Sequence, residues 1–138
     1  MLDLFDPQTI TRPPLRWHGG KFRLAKWVLS HFVEHSNYVE VFGGGAGVLL
    51  RRKRAKIEVY NDLDKQVVGF FQVLRDRDLR GQLIRAVDMT PFSRDEFELS
   101  YEAVADPVEA ARRFIVRCFM GPGGGGSDGS GGSAAGCG

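Results

Sequence analysis

Apolar residues in the first half of the chain change from a helical spacing to short strand-like runs. Residues 22–35 place apolar side chains three and four positions apart, which predicts an amphipathic helix with one face formed by Leu24, Trp27, Val28, His31 and Phe32. Residues 38–42 are rich in apolar and β-branched side chains, a pattern typical of a buried parallel strand. A helix over residues 47–54 and a second strand over Ile57–Tyr60 complete a strand, helix, strand unit.

The second half of the chain has only helical periodicity. Residues 65–76 predict a helix that repeats apolar positions at Val67, Phe70, Phe71 and Leu74. Residues 79–87 predict a further short helix. Ser93-Arg94-Asp95-Glu96 is typical of a capping box at a helix start. Asp106-Pro107 is a second start signal, before a helix whose shared face is formed by Val108, Ala111, Ile115 and Cys118.

These elements predict an α/β fold with an incomplete sheet. A sheet of two parallel strands is too small to be stable alone. We therefore expect one edge of the sheet and its apolar faces to be uncovered. The composition divides the chain into an N-terminal arm over residues 1–12, a domain over residues 13–120 and a tail over residues 121–138.

The tail is rich in glycine and serine and holds more than half of the 18 glycines in the chain. It lacks the apolar residues needed to build a core, so we expect it to be disordered. Two origins fit this composition equally well. The tail is either a flexible linker or the product of a lost reading frame near Met120, because out-of-frame translation of GC-rich DNA tends to give such residues.

Charge and cysteine content narrow the class of protein only slightly. A net charge of +2 with a sequence pI of about 8.7 permits nucleic-acid binding without arguing for it. The two cysteines, Cys118 and Cys137, have no ligand spacing with each other or with a histidine, so we expect neither a metal site nor a disulfide framework. No signal peptide or membrane-spanning run is found, which favours a cytoplasmic protein.

A glycine cluster at the carboxyl end of the first strand is the first candidate for chemistry. Glycines at Gly43, Gly44 and Gly45 let backbone N–H groups approach a ligand, although a plain tight turn fits the same residues. Position 48 is Val48, so the third glycine of a dinucleotide fingerprint is missing. Asp62, after the second strand, could accept the hydroxyl groups of a ribose, or Asn61-Asp62 could instead form a turn or a helix cap.

A second cluster, Trp17-His18-Gly19-Gly20-Lys21, precedes the first predicted helix. Its two glycines permit close approach of the chain, Lys21 can place an ammonium against a carboxylate, and Trp17 offers an apolar face. Taken alone, the cluster also fits a loop with a core tryptophan and a solvated lysine. Because this cluster, the glycine cluster and Asp62 follow one another in this order, together they indicate a ligand site more specifically than the cluster does alone.

The three motifs together resemble the Dam-type family of adenine-specific DNA methyltransferases over about residues 13–120. The resemblance implies the N-terminal part of a Rossmann-like fold that binds S-adenosylmethionine, followed by helices that enter a target-recognition region. It implies that Lys21 contacts the methionine carboxylate of the donor and that Asp62 binds its ribose hydroxyls. The remaining residues of the implied donor site are Trp17, Glu40, Phe42, Gly43, Gly44 and Gly45.

One family motif is missing from the sequence. These enzymes hold a flipped-out adenine with an Asp-Pro-Pro-Tyr tetrapeptide or a close variant, and no such tetrapeptide occurs in the 138 residues. We therefore assign no catalytic residue and interpret the chain as an N-terminal fragment of such an enzyme, inactive alone. Double-stranded DNA is the partner that the resemblance implies for the full-length enzyme, with no metal and no membrane.

The alternative is a non-catalytic module that binds nucleic acid or protein. The densest basic run, residues 51–56, could contact phosphates, although the solvated end of a helix explains the same charges. Arg112, Arg113 and Arg117 permit the same two interpretations, and the resemblance places them near the side that faces DNA.

Overall fold

The fold is described here from a computed structural model over residues 10–122. Within these residues the chain forms an α/β arrangement of two strands and five α-helices. In chain order they are α1 (Ala25–Leu29), β1 (Asn37–Glu40), β2 (Ile57–Tyr60), α2 (Lys65–Arg75), α3 (Arg77–Asp88), α4 (Arg94–Leu99) and α5 (Pro107–Met120). The tail predicted to be disordered lies outside the described residues except for its first two positions, and most of the predicted N-terminal arm also lies outside them.

The two strands pair in parallel, as the strand, helix, strand pattern predicts. Asn37 lies opposite Ile57, and Glu40 lies opposite Tyr60. The prediction of a buried strand was wrong, because one face of this sheet is open. Its β-branched side chains remain 44–56% exposed: Val39, Val41, Ile57 and Val59. No described element covers this face, which agrees with the uncovered sheet expected from only two strands.

The hydrophobic core lies among the helices instead. Helix α5 packs against α2, α3 and α4. The buried cluster contains Leu15, Val67, Phe70, Val73, Leu83, Val108, Ala111, Phe114 and Cys118. Leu15 joins the segment before α1 to this core. The helical periodicity of the second half of the chain therefore predicts the main source of apolar burial.

The predicted helix over residues 22–35 was wrong in extent, because α1 has only five residues. Its would-be apolar face is exposed: Leu24 is 54% accessible, Trp27 66% and Phe32 42%. The Ser30 hydroxyl donates to the Trp27 carbonyl at 2.7 Å, and Nδ1 of His31 lies 2.8 Å from the same oxygen. Side chains that take a main-chain carbonyl in this way compete with the next helical turn.

The predicted helix over residues 47–54 was also wrong. Only Leu49–Arg51 is helical, as one 3₁₀ turn, and Arg52 is extended. The Arg52 side chain is buried, donates to Glu58 at 2.7 Å and to Nε2 of His35 at 2.7 Å, and lies over the Tyr38 ring. Arg52 therefore does not lie at the solvated end of a helix. It joins both strands to the segment between them.

The predicted start of α2 at Lys65 and the start signals at Ser93 and Asp106 are confirmed, and Asp64 and Asp76 act as two further caps. Asp64 accepts from the Gln66 N–H at 2.8 Å, Asp76 accepts from the N–H groups of two residues of α3, and Asp106 accepts from the Glu109 N–H at 2.7 Å. Ser93 accepts from the Glu96 N–H, which is half of the predicted capping box. The cap at Asp76 starts α3 two residues before its predicted start.

The other half of the capping box is replaced by a long-range ion pair. Instead of returning to the Ser93 N–H, the Glu96 carboxylate accepts from the buried Arg112 guanidinium at 2.7 Å. Glu109 accepts from Arg112 at 2.7 Å through both carboxylate oxygens, and from Arg113 at 2.8 Å. These bonds join α4 to α5, and hydrogen bonds from Arg112 and Arg113 lower the pKa of Glu109 to about 2.

The lowered pKa of Glu109 predicts an acid-sensitive contribution to stability. Glu109→Gln should lower the free energy of unfolding by about 1–2 kcal/mol at neutral pH, because the amide cannot pair ionically with the two arginines. A depressed carboxyl pKa stabilises the fold above the ordinary value of 4.5, and this contribution is lost as the pH falls toward 2. Urea unfolding at a series of pH values should therefore show the two proteins converging in acid.

Glu98→Gln is the matched control, since Glu98 is exposed on α4 and no ion pair involves it within the described chain. It should change the free energy of unfolding by less than about 0.5 kcal/mol. A difference between wild type and Glu109→Gln that persists unchanged at the lowest pH would contradict the ionic explanation.

Candidate functional site

The carboxyl ends of β1 and β2 are joined beyond the sheet by further main-chain hydrogen bonds. The Asn61 N–H donates to the Glu40 carbonyl at 2.9 Å, and the Gly43 N–H donates to the Asn61 carbonyl at 2.9 Å. The Asn61 side-chain amide also donates to the Val41 carbonyl at 2.8 Å. The segments that follow the two strands therefore form one rigid edge, at the end of a parallel sheet where ligands commonly bind.

Asp62 is fixed at this edge by two main-chain donors. The Gly44 N–H donates to Oδ2 of Asp62 at 2.7 Å, and the Asp64 N–H donates to Oδ1 at 2.9 Å. Asp62 is half-buried. An ionised carboxylate can accept about four hydrogen bonds, so two of its acceptor positions are still available. The helix-cap role belongs to Asp64, which caps α2, whereas the bond from the Asp64 N–H gives Asp62 the turn role that the sequence left open. Asp62 also joins this turn to the glycine loop through the Gly44 N–H.

We call residues 43–47 the glycine loop. It is buried, and protein side chains cover much of it. A Cβ atom at Gly43 would lie 2.1 Å from the Tyr60 ring, and one at Gly44, which has a φ of +47°, would lie 2.3 Å from Nε1 of Trp17. Tyr60 also donates its hydroxyl to the Gly44 carbonyl at 2.7 Å. The lack of a side chain at Gly43 and Gly44 is thus required by contacts within the chain.

Glu40 closes the same loop from the other side. Its carboxylate accepts from the Leu49 N–H at 3.0 Å, at the start of the 3₁₀ turn. Burial raises the pKa of Glu40, and the bond from Leu49 opposes this effect. Burial likewise raises the pKa of Tyr38 to about 12, and that of Tyr60 is also raised. Asp62 therefore holds the start of the glycine loop through Gly44, and Glu40 holds the 3₁₀ turn that follows the loop.

The structure brings most of the predicted donor-site residues to one place. Trp17 lies against Gly44 and Gly45 and also packs near Phe114, with ring centroids 6.0 Å apart. Phe42 follows β1 with its side chain 79% exposed. Lys21 is exposed, and its ammonium donates to the carbonyl of Gly19. Lys21 therefore contacts its own glycine turn and not Asp62.

Two cavities are found in the described part of the chain, and only the smaller is lined by predicted donor-site residues. The larger, of about 920 Å³, is lined mainly by α2, α5 and the segment before α5. The smaller, of about 610 Å³, lies between residues 11–23 and the glycine loop, and its walls include Trp17 and Gly45. Neither of these two cavities is bounded by Asp62 or Lys21.

Tyr60 is the residue that sequence reasoning missed. It is the last residue of β2, immediately before Asn61-Asp62, and its ring packs edge-on against Phe71 of α2 with centroids 5.0 Å apart. The sequence signal that could have identified Tyr60 is its position opposite the end of β1. An aromatic ring there must lie over the chain that follows β1, which only glycine can accommodate.

The basic residues proposed as phosphate contacts are mostly paired within the chain. Arg112 and Arg113 bond to Glu109, and Arg117 donates to the Ser100 carbonyl and to the Gln66 side chain. In the run over residues 51–56, Arg52 and Arg54 both pair with Glu58, although the Arg54 contact is long, at 4.0 Å. These internal partners weaken the hypothesis that these five residues form a DNA-binding surface.

Residues 10–122 contain no group of three or more His, Cys, Asp or Glu residues placed to hold a metal ion. No helix among them is long and apolar enough to cross a membrane. The single cysteine in this range, Cys118, is buried, and burial raises the pKa of its thiol to about 11.

The chain is a small α/β protein with a parallel strand pair, and a glycine loop and a carboxylate lie at the carboxyl edge of that pair. The family model for the D12 class N6 adenine-specific DNA methyltransferases matches residues 17–115, well over half of the chain. The chain therefore belongs to this family, and the resemblance to Dam-type enzymes is confirmed. Comparison with curated proteins gives no match.

The packing of the glycine loop predicts that it tolerates no side chain. Gly44→Ala should lower the free energy of unfolding by about 2–3 kcal/mol, because the new Cβ would clash with the Trp17 indole at a residue that already has a positive φ. Gly69→Ala is the control, since a Cβ there meets nothing within 4 Å and the position lies inside α2. It should raise stability by about 0.5–1 kcal/mol.

Urea unfolding monitored by circular dichroism measures both variants. If Gly44→Ala is as stable as wild type, the close contact between the loop and Trp17 does not exist in solution. Gly43→Ala tests the Tyr60 contact in the same way.

Proposed function

We propose that this chain binds S-adenosylmethionine at the carboxyl ends of β1 and β2, as the donor-binding half of an adenine-specific DNA methyltransferase. The main support is the bond from the Gly44 N–H to Asp62, which fixes a carboxylate with free acceptor positions at this edge. Membership of the family supports the reaction, the methylation of adenine N6 in DNA. We infer that the complete domain has a Rossmann-like fold, of which β1 and β2 are two strands.

The side chains at this edge fit the three parts of the donor. Asp62 has two acceptor positions left, which match the two hydroxyls of a ribose. Phe42 presents an exposed aromatic ring one residue before the glycine loop, suited to contact with adenine. Lys21 is exposed, so its ammonium can meet the methionine carboxylate with no loss of core packing.

The glycine loop and Glu40 have a different role in this proposal. The Trp17 indole lies against Gly44, so that side of the loop is occupied by protein. We therefore assign Trp17, Gly43, Gly45 and Glu40 to holding the loop in shape. The donor would approach from the side on which Asp62 retains free acceptors.

Bound S-adenosylmethionine supplies a methyl group on a positively charged sulfur, which the exocyclic amine of adenine attacks. This chain contributes donor binding and orientation, and positioning of this kind accounts for much of an enzymatic rate enhancement. None of the 138 residues forms the Asp-Pro-Pro-Tyr tetrapeptide that holds the adenine in the family. We therefore assign no residue to the transfer step and expect no methylation of DNA by this chain alone.

Removal of the Asp62 charge should weaken donor binding. Asp62→Asn should raise the dissociation constant for S-adenosylhomocysteine, the demethylated product, by about 10- to 100-fold, because hydrogen bonds to a carboxylate are the strong ones. Isothermal calorimetry measures the change. Asp88→Asn, at the exposed end of α3, is the control and should bind as wild type does.

Phe42→Ala separates ligand contact from folding. Asp62→Asn also weakens a bond within the protein, whereas the Phe42 side chain is 79% exposed and stabilises little. Phe42→Ala should weaken binding about tenfold, since loss of an aromatic contact with a base costs on the order of 1–3 kcal/mol. Its free energy of unfolding should change by less than about 0.5 kcal/mol.

Phe92→Ala is matched to it, because Phe92 is 83% exposed and precedes α4. It should leave both quantities unchanged. Equal affinity of wild type, Asp62→Asn and Phe42→Ala for S-adenosylhomocysteine would overturn the proposed donor site.

A further inference from the structure

A cluster of arginines surrounds the smaller cavity, and the proposed donor site does not use it. The cavity of about 610 Å³ is lined by Arg16 and Arg23 from the segment before α1 and by Arg51 from the 3₁₀ turn. No Asp or Glu side chain lines it. We call this cavity the arginine cleft. It carries three positive charges and no compensating carboxylate.

These three arginines differ from the other unpaired arginines of the described chain, such as Arg77 and Arg94, because they line one concave surface. Arg52, Arg112 and Arg113 each form an ion pair, whereas no ion pair within residues 10–122 involves Arg16, Arg23 or Arg51. Unpaired guanidinium groups around one concave surface attract anions and focus the local potential.

Existing contacts orient two of the three side chains and leave their donors available. The Arg51 guanidinium lies 4.9 Å from the centroid of the Phe22 ring, a cation–π contact that occupies no hydrogen-bond acceptor. Arg16 donates one N–H to the Phe119 carbonyl at 3.2 Å. A guanidinium has five N–H donors, so each of these arginines can still form a paired contact with a phosphate.

Glycines bring the two walls of the cleft into close contact with each other. Gly19, Gly20, Gly45 and Gly47 line it without side chains. A Cβ at Gly47 would lie 2.6 Å from the Phe22 main-chain nitrogen, so the two segments touch there. This contact ties the two walls of the cleft together at a fixed point.

The exposure of the arginines favours an extended polyanion over a small enclosed phosphate. Arg16 and Arg23 are exposed and Arg51 is half-buried, and they come from two separate segments. A site for one small anion would bury its donors around a point. Charges at the surface along a cleft instead suit the successive phosphates of a nucleic-acid strand.

We propose that the arginine cleft binds the phosphodiester backbone of duplex DNA through Arg16, Arg23 and Arg51. The proposal rests on the proposed function, since it supplies the DNA contact for the same reaction. Gly45 lines the cleft, and the adjacent Gly44 bonds to Asp62. DNA held here would therefore lie beside the donor edge, one residue along the glycine loop.

The salt dependence of DNA binding tests this proposal. Fluorescence anisotropy with a labelled short duplex, over a series of salt concentrations, gives the slope of log affinity against log salt. Each lost phosphate contact lowers that slope by about 0.9. The double variant Arg23→Ala/Arg51→Ala should therefore have a slope smaller by about 2 than that of wild type.

A control of equal charge is Arg77→Ala/Arg94→Ala. Both arginines are exposed at helix starts and neither lines the cleft. This pair should keep the wild-type slope. Arg23→Lys/Arg51→Lys, which retains the charge, should also keep a slope close to that of wild type. Circular dichroism shows whether the alanine pair folds. If it does not, the lysine pair still tests the proposal, because a slope lowered by about 2 despite the retained charge would contradict the phosphate contacts.

Three results would overturn the proposal. They are the absence of duplex binding by the wild type, an equal fall in slope for the cleft and control pairs, and displacement of the duplex by pyrophosphate at equal phosphate concentration. Calorimetry with S-adenosylhomocysteine on the same proteins is independent of all three. If the wild type binds S-adenosylhomocysteine but not DNA, only the arginine cleft is rejected. If the wild type does not bind S-adenosylhomocysteine, the proposed donor site is rejected.

Discussion

The close approach of Tyr60 and Trp17 to the glycine loop is the contact on which the candidate site depends. Both rings occupy space where a side chain at Gly43 or Gly44 would lie. Because the rings can come so near, the loop turns back toward β2, and the Gly44 N–H reaches Asp62. Gly44 thus links the ends of β1 and β2 to each other and, through Trp17, to the helical core.

The same contact connects the site to stability. Trp17 lies between the loop and Phe114 of α5, in the region of the buried helical cluster. Tyr60 packs against Phe71 of α2. The sheet has little burial of its own, so these two aromatic residues hold the strand ends to the rest of the described chain. A well-packed helical core and a weakly covered sheet are consistent with a domain whose sheet requires further elements.

Charge is distributed unevenly around this framework. Asp62 accepts from the Gly44 N–H of the loop, Glu40 accepts from the Leu49 N–H just after the loop, and Glu109 neutralises arginines of α5. The arginine cleft on the other side of the loop lacks such partners. Ionic pairing within the chain therefore separates structural arginines from those available to a ligand, a distinction that residue type alone does not make.

Local signals in the sequence were sufficient for β2, the helix caps and the family. The predicted caps at Ser93 and Asp106 depend on bonds between residues three positions apart, and the family motifs depend on residue identity and order. The failed helix over residues 22–35 had the right periodicity. It lacked a partner for its apolar face, and periodicity cannot report whether a partner exists.

Only the tertiary structure decided what the glycines and the arginines do. Sequence spacing left open whether the glycine loop faces a ligand or forms a plain tight turn. The rings that require Gly43 and Gly44 come from Tyr60 and Trp17, on either side of the loop in sequence. Arg51 and Arg52 are adjacent in the chain, yet one lines an open cleft and the other is buried against Glu58. Burial and pairing arise from contacts between distant segments, so the sequence by itself determined the local starts and the family, while the fold determined the role of each charge.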